Sequence, residues 1–211
     1  MQTYLGLTLA EIDERVRATG DELVYLIDEL DAQLPTPVDD LELFLEYIAE
    51  GKSMLDIGCG SARYLDWFIA HGLEYTGIDI SPCMIKLVRS RHPNIRLEVM
   101  SYRSLQFPDE SFDALWCCCS LSHEPKSNIG NVFAELRRVL RPSGILALVM
   151  PNLGVGRLEE VGRVHQAINI EGYWALWEVK ELEDAIKAAQ FEIVLAGARQ
   201  MHGSMTIIGR K

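Results

Sequence analysis

From Lys52 to Met150, short apolar runs alternate with amphipathic segments of helical period, and this alternation restricts the chain more than any other feature. Such a pattern is the mark of βαβ units wound on a mostly parallel sheet. Strands are predicted near 53–57, 74–79, 95–100, 112–118 and 145–150, with helices near 62–71, 82–91 and 128–140 between them. Ser61, Ser81 and Ser127 stand where N-caps are needed, and Pro82 suits a first helical turn. A helix near 178–189 and strands at 191–197 and 203–209 close the chain. Only Ala198 to His202 separates the last two strands, too little for a parallel crossover, so they must pair antiparallel. The expected fold is α/β, with a mostly parallel seven-stranded sheet ending in a C-terminal antiparallel hairpin.

Residues 1–51 lie outside this pattern and read as three short helices packed on the core. Thr8 and Glu11 have capping-box spacing; Leu23, Leu26, Ile27 and Leu30, then Leu41, Phe44, Leu45 and Ile48, recur at helical intervals. Pro35 and Pro37 separate the last two helices and Gly51 closes the segment. Residues 52–211 read as one domain with an insertion near 151–177. There Tyr173, Trp174 and Trp177 are expected to form a packing cluster in preference to an aromatic cage. The helices and the insertion are expected to meet as a lid over the carboxyl ends of the strands and to set which molecule is admitted there.

Of the chain's charges, 13 acidic and 2 basic residues fall within 1–50, and 18 of each sign follow. The body is therefore neutral overall, without the basic footprint that nucleic acid or an anionic membrane requires. The acidic segment reads as a solvated helix face, with docking of a basic partner as the rival. No apolar run spans a bilayer and no secretory start is evident, so the expectation is a cytoplasmic protein. Cys117, Cys118 and Cys119 are contiguous, Cys59 and Cys83 isolated; neither disulfide nor metal spacing results, and burial of the triplet is expected.

The run Leu55-Asp56-Ile57-Gly58-Cys59-Gly60-Ser61-Ala62 is a strand ending in a glycine loop that opens a helix, a turn that lets a ligand approach the backbone. Asp79 follows at the end of the second strand, where an acid can accept both ribose hydroxyls of an adenosine. A nicotinamide dinucleotide is disfavoured, because Asp56 would oppose a pyrophosphate and Ala62 replaces the third glycine. The same carboxylate suits the ammonium and sulfonium of S-adenosylmethionine.

Residues 53–152 resemble the class I methyltransferase core, in the group related to ubiquinone and menaquinone biosynthesis methyltransferases. The likeness rests on LDIGCGSA at 55–62, GIDIS at 77–81, LQFPDESFDALW at 105–116, LSH at 121–123 and ELRRVLRPSGIL at 135–146. It implies a Rossmann-like fold and S-adenosylmethionine as cofactor, with S-adenosylhomocysteine as product. Through it Gly58, Cys59 and Gly60 would border the methionine portion, Asp79 the ribose and Ile80 the adenine face. Arg63 would reach the carboxylate, and the carbonyl of Cys117 would face the ammonium. Ser101 stands where relatives usually have an aspartate for the adenine amino group, with the Tyr102 amide beside it.

His123 lies just past the fourth strand, where open α/β sheets place their ligands, and is the catalytic candidate; a structural role at the loop is the rival. His165 and His202 carry no motif. The reading is in-line methyl transfer to a small-molecule acceptor, for which alignment and water exclusion can suffice. The alternative is a non-catalytic S-adenosylmethionine-binding protein with a protein partner.

Overall fold

A computed structural model of the chain describes residues 5–33, 38–48, 52–151, 159–163, 171–199 and 204–211. Expectations attached to Pro35, Pro37, Gly51, His165 and His202 lie outside those residues. The amino-terminal helices are α1 (Leu9–Leu23), α2 (Ile27–Gln33) and α3 (Val38–Leu45), followed by β1 (Ser53–Ile57), α4 (Leu65–Ala70) and β2 (Glu74–Asp79). Next come α5 (Pro82–Arg91), β3 (Arg96–Val99), β4 (Phe112–Cys118), α6 (Ile129–Val139) and β5 (Leu140–Pro151). An antiparallel pair, β6 (Glu159–Arg163) and β7 (Glu171–Ala175), precedes α7 (Val179–Ala188), β8 (Glu192–Arg199) and β9 (Ser204–Arg210).

Seven strands form one sheet in the order β3-β2-β1-β4-β5-β9-β8, parallel from β3 to β5 and antiparallel across β9. The expected hairpin is therefore present. β1 is central, and Met54, Leu55, Asp56 and Ile57 are all buried, as in a strand covered on both faces. From β1 the chain runs outward through β2 to β3, then returns to the other side of β1 as β4. That reversal opens a crevice at the carboxyl ends of β1 and β4.

Local chemistry sets several boundaries. The Ser81 hydroxyl accepts the Met84 amide at 3.1 Å with Pro82 next in line, starting α5 as the sequence predicts. Thr8 and Glu11 form the predicted capping box of α1. Ser61 and Ser127 do not cap. Ala62 has φ of +54°, so α4 starts only at Leu65, and the Ser61 hydroxyl donates instead to Asp31 at 2.6 Å. A short 3-10 turn, Lys126–Asn128, precedes α6, whose Asn128 side chain makes no capping bond and donates to Glu124 instead.

The solvated-face reading of the acidic segment holds for Glu11, Glu14, Glu22, Asp28, Glu29, Asp39, Glu42 and Glu46, which are exposed, but several carboxylates also bond to the sheet domain. Asp13 pairs with Arg103, Asp21 accepts from Ser81, Asp28 accepts from Arg91, Asp31 from Ser61 and Asp40 from Thr206. These carboxylates fasten α1, α2 and α3 to the sheet domain; Asp40 and Thr206 are buried together, whereas the Asp28–Arg91 pair is exposed. The insertion also holds structure the sequence pattern did not suggest, the β6–β7 pair. Tyr173 and Ala175 of β7 point into the core while Trp174, between them, is only half-buried, the two-residue alternation of a strand. Among the described residues no helix is long and apolar enough to cross a membrane.

Candidate cofactor and acceptor site

A cavity of about 240 Å³ occupies the crevice at the reversal point. The sheet contributes Gly58, Gly60, Asp79, Ile80, Ser101 and Tyr102 to its wall, all anticipated from sequence. Cys118, Cys119, Ser120 and His123 line it from the end of β4. From above come Asp13, Val16, Thr19, Gly20 and Leu23 of α1 and Ile27 of α2, so the amino-terminal helices roof the crevice. A larger hollow between Glu110, Arg138 and Lys211 lies at the amino ends of the strands, away from the positions where such sheets bind ligands.

The glycine loop has two glycines with different tasks. Both have positive φ, +68° at Gly58 and +52° at Gly60. A Cβ on Gly58 would lie 2.4 Å from Cβ of Ser120, whose hydroxyl bridges to the Ile57 carbonyl at 2.7 Å and ties β4 to β1. A Cβ on Gly60 would meet nothing within 4 Å. It would project into free space in a cavity wall, the room a ligand needs to reach the backbone.

Asp79 faces the same cavity and organises its edge. One carboxylate oxygen accepts the Gly60 amide at 2.9 Å, the other the Ser81 amide at 2.8 Å. Each oxygen keeps a further acceptor site, so two ligand hydroxyls can be received without dismantling the loop. Burial pushes the carboxyl above its ordinary value, against the two amides, which pull it down. Ser101 and Tyr102 lie beside it, and Ser101 accepts the Arg103 amide at 3.3 Å.

Four sequence candidates do not line the cavity. Asp56 is 4% exposed beneath the loop and accepts the Tyr75 hydroxyl at 2.7 Å, so its carboxylate supports the floor. Burial raises it to about 7, offset in part by Tyr75 and reinforced by Asp79. Cys59 turns its thiol into the core while its amide donates to the Ile78 carbonyl at 2.9 Å. Arg63 packs over the Tyr64 ring, 5.6 Å from its centroid. Cys117 is buried with its thiol 2.9 Å from the Ser120 hydroxyl, and the next two residues form the wall instead.

His123 does border the cavity. Its Nδ1 is 3.0 Å from the Tyr173 carbonyl, which can only accept, so Nδ1 carries the proton and Nε2 keeps a lone pair. Its ring leans on Trp174 with centroids 4.6 Å apart. Burial holds the imidazole below its ordinary value, which favours the neutral form that can take a proton. The aromatic cluster is a packing cluster as expected. Tyr173 is buried and donates to Glu159 at 2.6 Å, and Trp177 is buried beneath the Lys126 ammonium, 4.9 Å from the ring centroid.

Sequence reasoning expected a lid from these helices but did not name Asp13, Val16, Thr19 or Gly20 as its inner face, nor its anchor. Arg103 donates to Glu124 at 2.7 Å and to the Leu9 carbonyl at 3.1 Å, and it also pairs with Asp13, joining α1 to the loop after β4. Nothing local marks this link, since Arg103 lies 94 residues from Leu9 and 21 from Glu124 in the chain.

Residues 55–148 match the model of a methyltransferase domain. The malonyl-[acyl-carrier protein] O-methyltransferase of Serratia marcescens is 28% identical over 145 residues, covering 68% of this chain and 55% of that protein. The demethylmenaquinone methyltransferase of Tropheryma whipplei is 34% identical over 105 residues, covering 48% and 42%. The chain thus spans about half the length of the curated relatives it matches. Among solved structures, the Burkholderia thailandensis 1,6-didemethyltoxoflavin-N1-methyltransferase, with bound 1,6-didemethyltoxoflavin and S-adenosylhomocysteine, superposes with a TM-score of 0.80. That likeness covers 100% of this chain and 93% of the other at 16% identity, and it speaks for the fold.

Proposed function

We propose, from the premise that the core of this chain belongs to the class I S-adenosylmethionine-dependent methyltransferases, that the protein transfers a methyl group to a small-molecule acceptor inside the roofed cavity. The observation that carries the reading is the pairing of Asp79 with Gly60: a carboxylate with spare acceptor sites beside a backbone position with open space above it. These features fit the adenosine and methionine parts of S-adenosylmethionine. Gly58 and Gly60 hold the loop open, Asp79 receives the ribose hydroxyls, and Ile80 with the Tyr102 amide border the base. Asp56, through Tyr75, braces the loop from below.

S-adenosylmethionine supplies a methyl carbon bonded to a positively charged sulfur, already carrying its leaving group. The residues around it then have two tasks, alignment and exclusion of water, which α1 and α2 serve as a roof. A nucleophile that arrives protonated needs a base as well. Neutral His123, with Nδ1–H committed to the Tyr173 carbonyl, offers Nε2 for that proton.

The apolar inner face of the roof, formed by Val16, Leu23 and Ile27 beside His123, supports an acceptor position there. Relatives act on chemically different molecules, a protein-bound malonyl group and a menaquinone precursor by their names, so the family alone names no acceptor. The test is transfer of labelled methyl from S-adenosylmethionine to a metabolite extract, with the product identified by mass spectrometry. Label in a discrete small molecule together with S-adenosylhomocysteine supports the reading. Cofactor binding without any product, across extracts of varied origin, favours a non-catalytic binder.

A further inference from the structure

The three consecutive cysteines do not share one environment. Cys117 is buried and engaged by Ser120, whereas Cys118 is half-buried and Cys119 exposed, and both of these line the cavity. Their sulfurs stand 3.9 Å apart. Cys119 is held in the left-handed region, φ 62° and ψ −13°, by its amide's bond to the Val149 carbonyl at 2.8 Å. This anchored turn carries Sγ of Cys119 into the open space that Cys117 cannot reach.

We propose that Cys118 and Cys119 are a peroxide-sensitive dithiol in the cavity wall, and that closing them into a vicinal disulfide weakens cofactor binding. The effect on the cofactor rests on the reading of this cavity as the S-adenosylmethionine site. In the first step the Cys119 thiolate attacks one oxygen of hydrogen peroxide. The O–O bond breaks, hydroxide leaves and takes the thiol's proton as water, and Cys119 becomes a sulfenic acid. The Cys118 sulfur then displaces the sulfenic oxygen, which departs with the Cys118 proton as a second water while the S–S bond forms. Two thiols and one peroxide give one disulfide and two waters.

The assignment of roles follows from exposure and from the bond between the thiols. Cys119 is the one that peroxide can reach, and its contact with the Cys118 sulfur lowers its proton affinity while raising that of Cys118. Adjacent Cα atoms across a trans peptide are about 3.8 Å apart, whereas disulfides usually span about 4.4–6.8 Å. The ring therefore closes only if the backbone of this turn shifts, and strained disulfides are the readily reduced ones. Ser120 follows directly in the chain and holds the end of β1 beside Gly58, so a shift here reaches the glycine loop.

The experiment treats the reduced full-length chain with equimolar hydrogen peroxide, reads its covalent state by intact and peptide mass spectrometry, and measures S-adenosylhomocysteine binding by calorimetry before, after and following dithiothreitol. The expected result is loss of two hydrogens mapped to Cys118 and Cys119, a dissociation constant raised at least about tenfold, and recovery on reduction. Cys118→Ser should stop at a sulfenic acid on Cys119 that dimedone traps, Cys119→Ser should form neither species, and Cys83→Ser should still form the disulfide. Normal binding by the reduced protein with no disulfide after peroxide overturns the inference, and so does a disulfide that leaves affinity unchanged. Absence of binding by the reduced protein overturns the cofactor reading, and the gating with it, independently of the mass result.

Discussion

Asp21 of α1 accepts the Ser81 hydroxyl at 2.6 Å, while the Ser81 amide donates to Asp79 at 2.8 Å. One residue thereby joins the roof of the cavity to the carboxylate assigned to the ribose. Asp21 also accepts the Cys83 amide at 3.2 Å, which places a negative charge at the amino end of α5, where the helix dipole favours it. The roof is bonded to the Asp79 wall of the cavity, not laid loosely over it.

Gly20 makes that contact possible, because a Cβ there would lie 2.8 Å from Cβ of Ser81. Gly20→Ala is expected to push α1 off α5 and cost about 1–3 kcal/mol, the usual range for overpacking. Asp21→Ala leaves the Ser81 hydroxyl without its acceptor and should cost about as much. Denaturant unfolding measures both, and S-adenosylhomocysteine affinity should fall alongside. Unaltered affinity in both folded variants would detach the roof from the cofactor side.

Gly58 and Gly60 should respond differently to alanine. At Gly58 the added carbon collides with Ser120, so the main effect is on folding, and a fall in melting temperature is expected. At Gly60 the carbon meets open space and the cost to stability is the left-handed backbone alone, about 1–2 kcal/mol. Its larger effect should be on ligand affinity, measured by calorimetry. Equal affinity in Gly60→Ala and the parent chain would mean that no ligand approaches that backbone.

The buried Asp56 predicts a direction for stability against pH. Its carboxyl is raised from 3.8 to about 7 in the folded chain, chiefly by burial. The folded state therefore holds a proton that the unfolded state has released, and stability falls as pH rises through that window. Asp56→Asn keeps an acceptor for the Tyr75 hydroxyl and removes the titration. Melting temperatures from pH 4 to pH 8 should decline less steeply in this variant than in the parent; parallel curves would show that Asp56 is already ionised when folded.

His123→Gln is expected to lower kcat about a hundredfold or more, the scale of general base catalysis, with little change in cofactor affinity. Because burial holds His123 below its ordinary value of 6.5, the acid limb of the rate profile should lie below that pH and vanish in the variant. Steady-state kinetics on the identified acceptor decide this. Proportional losses in rate and cofactor affinity would assign His123 a structural role at the Tyr173 carbonyl.

What the sequence made legible was what local chemistry controls. Alternating apolar runs located the strands, Ser81 and Pro82 fixed the start of α5, and the short Ala198–His202 link required the antiparallel hairpin. Strand-end position and residue type sufficed to put Asp79 at the crevice. The direction of Asp56 was not legible, because it depends on Tyr75, a neighbour supplied by the next strand. The Cys119 side chain reaches the wall because β4 ends at Cys118 and the chain turns at Cys119 with φ of 62°, a turn that nothing in the sequence pattern marks. The roof contacts of Asp13 and Asp21 arise from docking between distant segments, and the charge count alone suggested solvent for them.

The central claim is that Asp79 and the glycine loop receive S-adenosylmethionine, and calorimetric titration of S-adenosylhomocysteine into the parent chain and Asp79→Asn tests it most directly. Since a hydrogen bond involving a charged group contributes about 1.5–3 kcal/mol, affinity should fall at least about tenfold in the variant. The parent should bind one ligand per chain, and both proteins should melt cooperatively. No binding by the parent, or the same affinity in a folded Asp79→Asn protein, would contradict the assignment.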